Sequence, residues 1–260
     1  MSFPNVIYGD YGDEKVAQST KIGSLPLGKL MILPDSRTFV HTRAHTAQAM
    51  TAGYLYQADD ARGGTSAHDI LPATAAVGQT SVVVQSPAGT AVLTDLYAEG
   101  FLMVASSVGT GTGIQYKVKA NGSAAAGSSN FTVQLADGET IHVAIDSTAT
   151  VGLRESIWGA ADLMTTGTAF TGPILGIPPV AVSAGFYHWI QRSGQAMAFA
   201  AATTIPIGDP VQAGTGVAGS IQKISATTVV DPKGRMSTVG HGLTAPAGTG
   251  GFVQINLELQ

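Results

Sequence analysis

A glycine-rich hexapeptide at residues 214–219, GTGVAG, fits the spacing of the dinucleotide-binding motif. That motif needs a helix beginning at the glycines, so that the helix N-terminus faces the pyrophosphate. The residues that follow, 220–224 (SIQKI), alternate polar and apolar side chains, which predicts a strand instead. No βαβ pattern surrounds the motif, and glycine is common throughout the chain. The sequence therefore predicts no bound dinucleotide, and we expect no other cofactor.

Three histidines have a spacing or neighbours that suggest chemistry. His41 and His45 lie four residues apart, which suits a metal ion if both lie on one helix. The segment around His41 instead resembles a strand, no HExxH glutamate follows, and no third ligand is evident, so we predict no metal site. His188 lies between Tyr187 and Trp189 in a predicted strand, where a core or interface role is favoured over a catalytic base.

No catalytic constellation is visible. Nucleophilic catalysis needs a nucleophile, a base and an orienting group, but the chain has no Gly-x-Ser-x-Gly elbow. Lys29 lacks the upstream glycine of a phosphate-binding loop. The acid pairs Asp59-Asp60 and Asp13-Glu14 lie in polar, loop-like stretches where solvated surface is expected. We predict that the protein is not an enzyme, although two acids brought together by folding would suffice for a polysaccharide hydrolase.

The composition limits the partners that this chain can have. Of its 260 residues, 44% are hydrophobic and only 12% are charged. We therefore expect partners to cover much of the surface, with Ser, Thr, Asn and Gln side chains also contributing to solubility. A net charge of −4 argues against nucleic acid as a partner. The absence of cysteine excludes disulfides and thiolate zinc sites. No apolar signal core or membrane-length apolar segment is present, which predicts synthesis in a cytosol and no membrane partner.

Alternation of apolar and polar residues is the dominant pattern, and it is clearest at residues 252–259. Val253, Ile255 and Leu257 point one way and the polar residues between them point the other way, as in a strand with one solvated face. Alternation or a short apolar run predicts further short strands at residues 30–33, 37–41, 54–57, 81–85, 101–104, 114–119, 131–135, 141–145 and 186–191. Short strands separated by glycine-rich turns predict an all-β fold, built as a β-sandwich or barrel.

Turn residues predict where the chain reverses. Pro34-Asp35-Ser36 predicts a hairpin between the first two strands, and Asp137-Gly138 predicts one between residues 131–135 and 141–145. Only short helices are expected, at residues 44–52, 95–100 and 154–164.

Changes in composition divide the chain into five predicted segments. Residues 1–24 form an extended N-terminal arm because they show no period, and residues 25–72 form a hairpin-rich segment that ends in a polar loop at 58–72. Residues 73–164 form a central β-domain, and 165–179 form a linker or long loop. Residues 180–260 form a C-terminal β-domain, which is either separate from the central domain or one body with it.

Five aromatic residues are the candidate contact sites for a partner surface. Phe3, Tyr8 and Tyr11 lie in the predicted arm, which would cover a large area if it became ordered on binding. Tyr187 and Trp189 belong to the densest aromatic cluster, where core packing and a subunit contact are both open interpretations.

Several phrases together resemble virion structural proteins of tailed bacteriophages, most closely capsid decoration, or cement, proteins. They are GKLMILPDSRTF (28–39), DLYAEGFLMV (95–104), TGIQYKVK (112–119), GFYHWIQRSG (185–194), IGDPV (207–211) and the hexapeptide at 214–219. The resemblance implies a homotrimer on the exterior of a virion capsid, with the major capsid protein as its partner and the host bacterial cytoplasm as its place of synthesis. It implies no catalytic or cofactor residues.

Two other classes of function stay open at this point. One is a different virion structural protein, such as a major capsid, tail or head-fibre protein, although a major shell protein usually carries a long helix and none is apparent. The other is a glycan-binding adhesive module. The mild negative charge suits an exterior position better than one that lines packaged DNA.

Overall fold

The fold is all-β, which confirms the predicted fold class, with strands in 47% of the chain and helix in 1%. The computed structural model describes residues 6–21, 23, 25–59, 68–86, 91–104, 111–127, 129–146, 148–165, 172–201, 204–224, 238–244 and 250–259. In these ranges no helix combines the length and the apolar character needed to cross a membrane.

The described residues contain eighteen strands and one 3-10 turn at Asp13–Lys15. In chain order the strands are β1 (Val6–Tyr8), β2 (Ala17–Gln18), β3 (Leu30–Ile32), β4 (Thr38–Arg43), β5 (Tyr56–Ala58), β6 (His68–Thr74), β7 (Ser81–Gln85), β8 (Phe101–Val104), β9 (Gln115–Asn121), β10 (Asn130–Leu135), β11 (Thr150–Arg154), β12 (Ala161–Leu163), β13 (Ile174–Gly176), β14 (Tyr187–Ala200), β15 (Pro210–Ala213), β16 (Ile221–Lys223), β17 (Thr238–Gly242) and β18 (Gly251–Glu258).

The chain forms two compact units. Unit 1 combines Met1–Asp59 with Trp158–Gln260, and unit 2 is Asp60–Ile157. This division differs from the predicted segments, because the predicted hairpin-rich and C-terminal segments belong to one body. The reason is a long-range pairing that local patterns do not encode: β4 lies antiparallel to the first half of β14.

Unit 2 is built on a closed six-stranded barrel, in the order β10–β7–β6–β11–β8–β9. Its interior is filled by alternate residues of each strand. On β10, for example, Phe131, Val133 and Leu135 are buried, whereas Thr132 and Gln134 are exposed. Among the described strands of unit 2, closure gives each barrel strand a neighbour on both sides, so these strands leave no sheet edge open to another chain.

Unit 1 is organised around β14, which is fourteen residues long. Its first half pairs with β4, and its second half pairs with β18 over eight residues. Together β14, β16, β15, β17 and β18 close into a five-stranded ring. Ala196 and Ala198 face this interior opposite Ile255 and Val253, so small side chains on one strand leave room for large ones on the next.

The terminal strand and the first hairpin are confirmed. In β18 the alternating residues Val253, Ile255 and Leu257 are completely buried, whereas the polar residues between them lie on the outer side. β3 and β4 pair antiparallel across the turn that contains Pro34 and Asp35.

Residues 6–18 belong to the sheet of unit 1, so they do not form the predicted separate arm. β1 pairs in parallel with β3, and β2 pairs with the start of β14. The sequence shows no period here because these strands are only two and three residues long, too short for alternation to be visible.

The three predicted helices are wrong. Ala44 and Met50 form isolated bridges to Ala161 and Val182, so residues 44–52 are held by tertiary pairing. Residues 95–100 form turns. Residues 154–164 contain the end of β11 and the whole of β12. Strands also occur in the two predicted loops, since β6 begins within 58–72 and β13 lies within 165–179.

The predicted hairpin at Asp137-Gly138 is also wrong, although the chain does turn there. β10 pairs with β7 and β9, not with the residues that follow the turn. The backbone N–H of Ile141 donates to the carbonyl of Gln79 (2.9 Å), and Ile145 forms a bridge with Ala75. The returning segment therefore pairs with residues 75–79, which connect β6 to β7, and its backbone groups are satisfied there instead of in a local hairpin.

Candidate functional site

Two of the five predicted contact residues, Tyr8 and Tyr11, are strongly exposed. Tyr8 is 82% accessible on the outermost strand of the described sheet, and Tyr11 is 65% accessible in the turn that follows. The backbone N–H of Gly12 donates to the buried carboxylate of Glu14 (2.6 Å), which fixes this turn. The two rings are thus presented on an ordered support. Phe3, the third predicted contact residue of this segment, lies outside the described residues.

Tyr187 and Trp189 lie at the start of β14, and their rings contact the buried His41 of β4. The ring of His41 lies 5.9 Å from that of Tyr187 and 5.3 Å from that of Trp189. Trp189 is only 5% exposed and packs with Phe39 and Met31 in a small apolar cluster. Tyr187 is half-buried. The structure therefore places Trp189 in the core of unit 1, where it supports the sheet.

His188 is buried on the other face of β14. Its Nδ1 lies 3.4 Å from the carbonyl oxygen of Phe186. The pKa of His188 is lowered to about 4, chiefly by burial; the Phe186 carbonyl opposes this effect and the neighbouring His41 adds to it. The imidazole of His188 is therefore neutral near neutral pH.

His41 and His45 have different environments. Nδ1 of His41 lies 3.2 Å from the carbonyl oxygen of Pro26, whereas Nε2 of His45 lies 3.4 Å from a carboxylate oxygen of Asp59. Across the described residues, no group of three or more histidine, aspartate or glutamate side chains is arranged to hold a metal ion.

The glycine-rich hexapeptide at 214–219 connects β15 to β16, which pair antiparallel. The backbone N–H of Thr215 donates to the side-chain oxygen of Gln222 on β16 (3.2 Å). A strand follows the glycines, as the sequence predicts, so this loop lacks the helix N-terminus that holds a pyrophosphate.

Sequence reasoning missed an aromatic cluster formed by Tyr54, Phe199 and Phe252. The rings of Tyr54 and Phe199 stack at 4.7 Å, and Phe252 lies 5.6 Å from Phe199. A Cβ at Gly53 would lie 2.6 Å from the Phe252 ring, so glycine is needed for this close packing. Phe252 nevertheless stays 49% exposed, and the neighbouring Met197 is 53% exposed.

Beside this cluster two concave regions adjoin over β14 and β18, with volumes of about 530 and 550 Å³. They share Arg37, Gln195 and Gln254. We call the combined depression the β14–β18 groove. Its apolar half is lined by Phe252 and Met197, among others. The polar half is lined by Asp35, Ser36, Arg37, Gly194, Gln195, Gln254 and Asn256.

Arg37 supplies the groove with a charge that its neighbours balance. Its Nε donates to Asp35 (2.6 Å), and its Nη2 lies 3.8 Å from Glu14. Slight desolvation raises the pKa of Asp35, but the hydrogen bonds and positive charge of Arg37 outweigh it, so this pKa is lower than usual. The Asp35 carboxyl is therefore ionised at neutral pH beside the Arg37 guanidinium.

No signal in the sequence alone would have located this groove. Arg37, Gln195 and Gln254 come from three distant parts of the chain, and they meet only because β14 pairs with β4 along its first half and with β18 along its second half.

Comparison with known proteins gives no relative: no family model, curated protein or solved structure matches this chain.

Proposed function

We propose that this protein is a capsid decoration, or cement, protein of a tailed bacteriophage. It binds the outside of the head shell as a homotrimer and contacts the major capsid protein. An all-β body supports this proposal, because a rigid scaffold suits a protein whose task is to hold other subunits in place. The resemblance of several turn and strand segments to virion structural proteins points to the same role.

The observation that carries the proposal is the exposure of Tyr8 and Tyr11 on the outer edge of unit 1. Large amphipathic rings held on a fixed backbone lose little side-chain entropy on binding, and tyrosine is enriched among residues that dominate interface energies. β1 itself is the outermost strand of its described sheet, where a partner strand can add to the edge. Rings and edge together form a contact surface.

Stabilisation of the shell would follow from mass action. A protein that binds only the assembled shell shifts the equilibrium away from dissociated capsomers by an amount set by its concentration and affinity. No catalytic step is needed. The low share of charged residues suits a surface that is covered by neighbouring subunits.

The test is a double substitution, Tyr8→Ser with Tyr11→Ser, assayed by co-sedimentation with phage particles that lack this protein. Both side chains project into solvent, so the folded chain should keep its thermal stability. We expect capsid affinity to fall at least about tenfold, since two aromatic contacts are removed. Ile207→Ser is the matched control, because Ile207 is also strongly exposed in unit 1 but lies outside the N-terminal edge.

Unchanged sedimentation of the double variant would contradict this contact surface. Failure of the unaltered protein to bind any such particle would contradict the proposed function itself. Light scattering after gel filtration tests the trimer separately: the expected mass is three times the chain mass of 26.4 kDa.

A further inference from the structure

We propose that the β14–β18 groove of unit 1 binds a neutral saccharide. The groove combines an exposed aromatic ring, a row of side-chain amides and internally balanced charges. These three features come from Phe252, from Gln195, Gln254 and Asn256, and from Arg37 with its acidic partners.

The apolar half of the groove provides a platform for the C–H face of a sugar ring. Phe252 is half exposed, yet its position is fixed from behind by Gly53 and by the ring of Phe199. Met197, on the neighbouring strand, extends the platform and adapts easily in shape. An exposed ring that is immobilised in this way binds a flat apolar face at low entropic cost.

The polar half of the groove suits hydroxyl groups. Gln254 and Gln195 project from paired strands, and the Nε2 of Gln254 donates to the Oε1 of Gln195 (3.3 Å). Asn256 is directly opposite Gln195 in the strand register. Each carboxamide both donates and accepts hydrogen bonds, as does each sugar hydroxyl, so amides can bind vicinal hydroxyls in either sense.

The charges of the groove favour a neutral ligand. Arg37 already contacts Asp35 and Glu14, and Lys15 lies at the same end, so two cations face two carboxylates. A phosphate or sulfate would compete with two existing carboxylates for Arg37. A purely apolar partner would have to desolvate Gln195, Gln254 and Asn256, which is unfavourable without new hydrogen bonds.

Pairing of the strands argues against an added peptide strand. β18 pairs with β14 along one edge and with β17 along the other, so the strand that carries Gln254 and Asn256 already has neighbours on both sides. Recognition at this groove therefore depends on side chains, as in small-ligand sites of similar volume.

The test is a titration of the full-length, ¹⁵N-labelled protein with three neutral disaccharides, followed by amide chemical shifts. The probes are cellobiose, maltose and N,N′-diacetylchitobiose, and inorganic phosphate is the anionic comparison. We expect at least one disaccharide to give saturable shifts at residues of β14 and β18 around the groove, whereas phosphate gives none there.

Two substitutions connect the shifts to the proposed contacts. Phe252→Ala removes the platform, and Gln254→Ala removes one amide; each should weaken binding by about five- to tenfold. Gln134→Ala is the matched control, because Gln134 is an exposed strand amide in unit 2, and it should bind like the unaltered protein. Because Phe252 also packs in the aromatic cluster, thermal unfolding of each variant is measured alongside.

The proposal is overturned if none of the three disaccharides gives saturable shifts, or if the shifts lie outside the groove. It is equally overturned if Gln254→Ala folds normally and binds as tightly as Gln134→Ala. Shifts at the groove with phosphate alone would show that Arg37 acts as an anion site instead. Capsid sedimentation reports independently on the decoration role, so the two proposals fail separately.

Discussion

At the level of single residues, the buried His188 makes the stability of the fold depend on pH. It is 2% exposed on a strand that joins both halves of unit 1. Its pKa is about 4 in the folded chain against 6.5 for the unperturbed group. Above pH 6.5 the imidazole is neutral in both states and makes no pH-dependent difference. As the pH falls below 6.5, His188 becomes protonated in the unfolded chain but stays neutral in the folded chain. The free energy of unfolding therefore declines until the pH reaches about 4.

We therefore expect the free energy of unfolding to decrease by about 3 kcal/mol between these two pH values through His188 alone. Urea unfolding at a series of pH values measures this slope. His188→Asn, which cannot titrate, should flatten the profile, whereas Gln134→Ala, which removes no titratable group from an exposed position in unit 2, should leave it unchanged. An unaltered slope in His188→Asn would show that other groups cause the acid sensitivity.

At the level of elements, the pairing of β17 with β18 depends on a glycine. A Cβ added at Gly240 would lie 1.9 Å from the carbonyl oxygen of Asn256, which is backbone and cannot move aside like a side chain. We expect Gly240→Ala to destabilise the fold by about 3 kcal/mol, because the two strands would have to separate.

Gly251→Ala is the control for this prediction. Gly251 lies on β18 as well, but no atom is near enough to contact a Cβ there, so its substitution should change stability by no more than about 0.5 kcal/mol. Urea unfolding of both variants measures the difference. Equal stability of the two would mean that β17 and β18 tolerate a wider spacing than the structure has.

The elements also show what could be predicted from the sequence. The alternation of Val253, Ile255 and Leu257 predicts a strand because half of that strand faces a core and half faces solvent. The turn at Asp137-Gly138 was located correctly, but a turn signal states only that the chain reverses. It does not say which strand the returning residues meet, and in the barrel they meet residues 75–79.

The groove could not be predicted for the same reason. Arg37, Gln195 and Gln254 carry no common local pattern, and their proximity depends on two long-range strand pairings. The exposure of Tyr8 and Tyr11 could be expected from the sequence, because aromatic residues in a polar, glycine-containing stretch have few ways of being buried. Trp189 shows the limit of that reasoning, since a strand aromatic is equally suited to a core.

At the level of the whole molecule, unit 2 is inserted in the chain between two halves of unit 1. Each unit brings together the points where the insertion enters and leaves. In unit 2, His68 on β6 pairs with Leu153 on β11. In unit 1, Ala58 on β5 pairs with Ala161 on β12. Neither unit therefore needs the other to hold its chain ends together, and each has its own apolar core.

We accordingly expect residues 60–157 to fold when expressed alone, since a closed barrel with a continuous core satisfies its own strand edges. Unit 1 should also fold when a short glycine-serine linker joins residue 59 to residue 158. Amide spectra provide the measurement: the peaks of the isolated barrel should overlay a subset of those of the full-length protein, and thermal unfolding should be cooperative. A fragment of the same length cut across the two units, residues 100–197, should remain unfolded. A disordered spectrum for residues 60–157 would show instead that the barrel needs unit 1 for its stability, because the closed strand order would then be insufficient to offset the entropy of ordering the chain.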